Sequence, residues 1–205
     1  MATQTATLQI IGSIEALPEL SMRSVYFQTD MPKADDVQIG LLASEQETLK
    51  SIAEAFNRYV AITPSARLTL SGHADQRGPN QYNQSLSERR VQFVKTFLTE
   101  QGVSADALDT QASGEDKNLS VDDVKQLLQQ DPNLNDEDRQ RDQWRFKTIV
   151  LANNRRVDIT LSPTGQESRR EYPYKADDFA KLMDRNGPAS TAGVQFAAKK
   201  ERISN

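Results

Sequence analysis

The chain has 205 residues, with 25 Lys and Arg against 29 Asp and Glu and a formal net charge of −4. That length accommodates one domain of ordinary size with arms or an insertion, and the mild acidity supplies no field to hold nucleic acid or an anionic membrane, so phosphate polymers are poor partners. Without cysteine there is no disulfide framework, no thiolate nucleophile or metal site, and no cysteine for a lipid anchor.

No apolar run reaches the roughly 18 residues of a membrane span, and the N-terminus lacks the basic-then-apolar pattern of a secretory leader. Either the protein is cytosolic or an export signal lies upstream of Met1. Residues 5–11 read as a strand, broken by Gly12 to Pro18. Arg23 to Thr29 is rich in β-formers and stops at Asp30-Met31-Pro32, which predicts a strand ending at Asp30. Ser44-Glu-Gln-Glu47 has the spacing of a capping box. Behind it Leu49, Ile52, Ala53, Phe56, Tyr59 and Val60 recur at steps of three and four, predicting a helix over 45–60 that ends at Thr63-Pro64. Ala66, Leu68 and Leu70 then alternate with polar residues as in a half-buried strand, completing a βαβ unit.

Gly78-Pro79 opens the next helix, which Gly102 closes, and a short helical start at Ser104 leads into a strand over 108–113. From Gly114 to about residue 150 the chain turns polar and acidic, with helical segments at 121–130, capped by Ser120, and at 136–150. This reads as an insertion on one edge of the domain, because clean strand alternation returns only at Val157, Ile159 and Leu161. The division is an arm at 1–21, a domain at 22–161 and a C-terminal extension at 162–205, partly disordered, with one weak amphipathic patch from Tyr172 to Met183.

The helix over 79–101 holds an anomaly. On a wheel of about 100° per residue centred on Leu86, Tyr82, Phe93 and Phe97 lie within about 40°, and so does Arg90. A guanidinium on a core-facing stripe is costly unless a carboxylate or a wet pocket receives it. Asp75, in the loop feeding this helix, is the nearest partner by topology. Together they would grip the ammonium and carboxylate of an amino-acid zwitterion through charge-assisted hydrogen bonds of about 1.5 to 3 kcal/mol each. The alternative is a plain internal Asp75–Arg90 salt bridge.

Gly72-His-Ala-Asp-Gln-Arg-Gly78, then Tyr82-Asn83, Leu86-Ser87 and Arg89-Arg90-Val91, resemble the signature of the OmpA-like peptidoglycan-binding domain, especially its peptidoglycan-associated lipoprotein branch. Val25 to Asp30 is similar to that family's first strand and Asn154 to Val157 to its closing motif. The resemblance implies an α+β fold, a β-α-β-α-β-β two-layer sandwich here carrying a helical insertion before the last strand. It implies binding to the stem peptide of peptidoglycan through diaminopimelate, with Asp75 on the ammonium, Arg90 on the carboxylate, and Thr29, Asp30, Asn83 and Arg155 lining the pocket. Gln28, where the family often has an acidic residue, Ala74, where many members have threonine, and the insertion are departures.

Simpler readings compete at other positions. His73, the only histidine, lacks partners for a metal site or a triad and reads as a loop anchor. Asp131, Asn133 and Asn135 begin like a calcium loop, but Asp136 stands where glycine is needed and Asp142 replaces the closing glutamate, so a solvated acidic loop is the better account. Arg155 and Arg156 should point one inward and one outward, and Trp144 and Phe146 should pin the insertion to the domain.

The resulting expectation is a non-catalytic module, without cofactor or metal, that binds the peptidoglycan stem peptide. Its place would be the periplasm, associated with the outer membrane and with possible envelope protein partners, its membrane tether lying outside these 205 residues. The rivals are a murein-processing or other hydrolase using Asp75 or Glu88, and a structural interaction domain with an internal Asp75–Arg90 bridge.

Overall fold

The computed structural model describes residues 20–34, 40–131, 134 and 146–171. The strand expected at 5–11, Trp144, the acidic loop at 133 and 135–142, and the Tyr172 to Met183 patch lie outside them. In chain order the elements are β1 (Val25–Tyr26), α1 (Ala43–Ile62), β2 (Arg67–Gly72), α2 (Asn80–Glu100), β3 (Leu108–Ala112), α3 (Val121–Gln130), α4 (Phe146–Asn153), β4 (Arg156–Ser162) and β5 (Gln166–Glu167), with a 3-10 turn at Ala105–Ala107.

The sheet order is β1-β4-β2-β3, with β5 pairing β4. β2 and β3 run parallel, Leu68 facing Leu108 and Gly72 facing Ala112, and α2 is their crossover. β4 lies antiparallel between β1 and β2, Leu70 facing Ile159. Leu68 and Leu70 project to the same face as Val157 and Ile159, where Leu49, Ile52 and Phe56 of α1 and Val91, Val94 and Leu98 of α2 complete one core. Burying each such side chain contributes about 1.5–3 kcal/mol.

The insertion sits at the β1 edge of the sheet and builds a second core there. Val25 and Phe27 belong to the first cluster and Tyr26 to another, with Leu42, Val124, Leu128, Leu134, Ile149 and Val150, and with Phe146 packed against it. Successive side chains of a strand point to opposite faces, so α3 and α4 cover the side of β1 away from α1. Ser120 caps α3 as expected, with both halves of a capping box present. The box expected at Ser44 is absent: α1 starts two residues earlier, with Leu42 at the cap position, and no side chain caps it. Glu45 accepts the Tyr26 N–H at 2.8 Å, while Glu47 pairs with Lys50 instead of reaching back to a cap. The sheet also continues past Leu161, through β5 and a bridge from Arg23 to Arg169.

Gly72 allows α2 to lie directly on β2. A Cβ there would stand 2.4 Å from Val91 Cγ2 and 2.5 Å from the Ser87 carbonyl oxygen. Because one of these is helix backbone, Gly72→Ala must push α2 off the sheet, and its expected cost is about 2–4 kcal/mol in urea unfolding. A change under about 0.5 kcal/mol, the range of a neutral surface substitution, would show that the helix moves freely.

Candidate ligand-binding site

Three segments converge on a cleft of about 440 Å³: the turn after β1 (Thr29, Asp30), the β2–α2 loop (Asp75, Arg77, Gly78, Pro79) and the first turns of α2 (Tyr82, Asn83, Leu86, Arg90). β2 delivers the loop. The His73 N–H bonds the Arg156 carbonyl and the Ala74 N–H bonds the Gly114 carbonyl, so the chain is held on both sides just before Asp75.

Arg90 is fully buried. Its Nε donates to the Met31 carbonyl at 2.9 Å and its Nη1 to the His73 carbonyl at 2.7 Å, while its charge lies 5.4 Å from the Phe27 ring centroid. Its Nη2, also buried, has no hydrogen-bond partner. Burial, and then the charge of Arg155, lower its pKa to about 9, which leaves a cation at neutral pH. A buried donor on a cation carries its full desolvation cost until an acceptor arrives, about 1–3 kcal/mol or more.

Asp75 is 7% exposed and does not pair with Arg90. Its Oδ1 accepts from Arg77 Nε at 2.8 Å and its Oδ2 from Arg77 Nη2 at 2.7 Å, with Arg155 Nη1 3.4 Å from Oδ2. Burial pushes this carboxyl up, but the Arg77 hydrogen bonds and the charges of Arg77 and Arg155 outweigh it and hold the carboxyl below its ordinary range. The internal Asp75–Arg90 bridge is therefore not formed. The floor of the cleft offers one unfilled cationic donor, and its wall a carboxylate shared with a partly exposed arginine. Asp30, with φ 59°, adds a second carboxylate, bonded to Tyr82 and Lys33.

A larger groove of about 620 Å³ runs along a neighbouring face of α2, lined by Gln46, Arg89, Phe93 and Phe97 among others. Among the described residues no buried unpartnered polar atom lines it.

Residues 35–131 match the OmpA family. Over that segment the chain is similar to the OmpA family. The peptidoglycan-associated lipoprotein of Agrobacterium fabrum is 34% identical over 97 residues, 47% of this chain and 49% of that protein. That of Haemophilus influenzae is 39% identical over 66 residues, covering 32% and 43%. The chain spans about half the length of the curated relatives it matches. Among solved structures, the peptidoglycan-associated lipoprotein from Burkholderia pseudomallei superposes with a TM-score of 0.44 at 21% identity, over 68% of this chain and 90% of that one. The C-terminal domain of Helicobacter pylori MotB gives 0.44 at 16% identity, over 79% and 92%.

Of the six residues singled out in the sequence, the cleft gathers five: Asp75, Arg90, Thr29, Asp30 and Asn83. Arg155 stands behind Asp75 rather than lining the cleft. It is 2% exposed and its Nε donates to the Phe27 carbonyl at 3.1 Å. Nor do Arg155 and Arg156 point to opposite environments, since both are buried. β4 is an inner strand covered on both sides, and Arg156 is neutralised by Asp158, 3.0 Å away.

Sequence reasoning missed Arg77. The Asp-x-Arg spacing could have revealed Arg77, whose own N–H also bonds Asp75 Oδ1 at 3.1 Å, a turn contact open to any aspartate two residues upstream. His73 is a loop anchor as read. It is 3% exposed with Nε2 3.4 Å from Asp158, and burial pushes its pKa down, so the ring stays neutral. Among the described residues no group of three or more His, Asp and Glu is placed to hold a metal, and no helix is long and apolar enough to cross a membrane.

Proposed function

We propose that this OmpA domain binds peptidoglycan noncovalently through the diaminopimelate of the stem peptide, and so holds to the cell wall whatever is joined to it. The observation that carries the reading is the buried, unpartnered Nη2 of Arg90 in a cleft whose other wall is a carboxylate. Diaminopimelate ends in both an ammonium and a carboxylate. Its carboxylate would complete the Arg90 fork, and its ammonium would share Asp75 with Arg77, or displace that partly exposed side chain. Thr29, Asp30 and Asn83 shape the cleft around it, and Arg155 keeps Asp75 ionised from behind. The names of the curated relatives favour the same partner, and with it a place in the cell envelope on the wall-facing side of a membrane.

The reading is of a binding module, not a hydrolase. Asp75 lies below the ordinary carboxylate range between two guanidinium groups, the reverse of a general acid poised near neutral pH. Glu88, the other candidate, is exposed on a neighbouring face of α2, bonded by Gln84 at 3.1 Å.

Incubation with purified sacculi tests the proposal. The domain should co-sediment with diaminopimelate-type sacculi and release no soluble muropeptides. It should bind lysine-type sacculi at least about tenfold more weakly, because lysine lacks the second carboxylate and one lost charge-assisted hydrogen bond is worth that factor. Release of muropeptides, or equal binding to both wall types, would overturn it.

A further inference from the structure

Asn83 enters the cleft as a side-chain amide, whose two ends have nearly the same shape. Which of them faces a ligand is decided by hydrogen-bond partners alone. Its Nδ2 donates to Glu115 Oε2 at 2.5 Å. A carboxylate is acceptor-only, so this contact selects one of the two amide orientations. Oδ1 then faces Gly78, 3.5 Å from where a Cβ on that cleft residue would stand, and among the described residues no group donates to it.

Glu115 is itself held in place. It follows Gly114, whose N–H donates to Ser87 Oγ at 2.9 Å and whose carbonyl accepts from the Ala74 N–H at 2.7 Å. Ser113 N–H bonds the Gly72 carbonyl at 2.9 Å. Gly114 has φ 52°, and a Cβ on it would lie 3.3 Å from Gln84 N, so α2 and this loop approach closely only with glycine there. The start of the insertion is thus fastened to both walls, next to Asp75 on one side and to α2 on the other.

We propose that Glu115 is a positioning residue of the cleft, fixing the Asn83 amide so that it presents an acceptor oxygen, beside the Asp75 carboxylate, to the ammonium or amide N–H of a bound diamino-dicarboxylate. This rests on the binding function proposed above. Without Glu115 the amide turns freely, and in its other orientation Nδ2 sets a donor against the ligand's ammonium. Glu115 therefore makes this corner of the site selective for donors without touching the ligand.

The test is calorimetric titration of the intact chain and its variants with free meso-diaminopimelate. Glu115→Ala should weaken binding about tenfold, the scale of one misdirected hydrogen bond. Glu115→Gln, whose Oε1 still accepts, should stay within about threefold of the unaltered protein. In an Asn83→Ala background, Glu115→Ala should have no further effect, because the group it orients is gone. The same tenfold loss with Asn83 absent, or full affinity in Glu115→Ala, would overturn the assignment. No binding by the unaltered chain is a separate outcome, visible before any variant is made, and would overturn the proposed function and this inference together.

Discussion

Arg90→Lys is expected to lose binding to diaminopimelate-type sacculi by about a hundredfold, because a lysine amine cannot reproduce the planar fork. In Arg90, a residue lining the cleft, that fork satisfies the Met31 and His73 carbonyls with Nε and Nη1 and leaves Nη2 without a partner. Lysine can replace the charge, but no single ammonium spans two fixed carbonyls and a ligand. Arg90→Ala should bind nothing measurable and also unfold more easily, by about 2–4 kcal/mol, since it empties a fully buried site and strands both carbonyls. Urea unfolding beside co-sedimentation separates the two effects. Arg90→Lys binding at full strength would mean that charge alone suffices and that the fork geometry is irrelevant.

Asp75 gives the second large effect. Asp75→Ala removes a counter-ion of buried Arg155 as well as the partner of Arg77, and breaking a buried ion pair costs about 3–5 kcal/mol. Asp75→Asn, which keeps the shape and can still accept from one arginine, should unfold less readily than Asp75→Ala yet lose most of its affinity for an ammonium. The pH dependence follows from the direction of the shift. The carboxyl of Asp75 is depressed in the folded protein, so its contribution is complete above the unfolded pKa of about 3.9 and disappears as pH falls through the lower folded value. Asp158, drawn well down by His73, Arg156 and Arg170 against the effect of burial, acts in the same sense.

His73 adds an earlier limb. Held neutral by burial, it costs stability once pH drops below about 6.5 and the unfolded chain takes up a proton that the folded chain refuses. Thermal unfolding should show a shallow decline from about pH 6.5 and a steeper one below about pH 4. In Asp75→Asn the steeper limb should be visibly reduced, and an unchanged acid limb would show that Asp75 is not part of it.

Much of this was readable in the residues, and the failures have physical causes. The periodicity from Leu49 to Tyr59, the Pro79 start and Gly102 stop of α2, and the Ser120 cap all reappear because each is a local signal. The placement of Arg90 on the inner face of α2 also holds. The centre of that face does not: Tyr82 is 40% exposed, and the buried row is Asn83, Ser87, Val91, Val94 and Leu98 with Leu86 at its margin. The large aromatic side chains weight a helical wheel, but contact is set by small residues, here Ser87 lying on Gly72. Likewise Asp75 has its partners two and eighty residues away, not the fifteen that separate it from Arg90. The pairing of β4 with β2 that carries Arg155 to it is a tertiary fact without a spacing signature. The false cap at Ser44 failed for a similar reason, since α1 starts before it and its neighbour Glu45 binds β1.

The most direct measurement is calorimetric titration of the unaltered chain with free meso-diaminopimelate and, separately, with lysine. Saturable one-to-one binding of meso-diaminopimelate, at least about tenfold tighter than that of lysine, is the predicted result, because only the former brings a second carboxylate to Arg90. Equal affinities, or no heat with meso-diaminopimelate, would contradict the account.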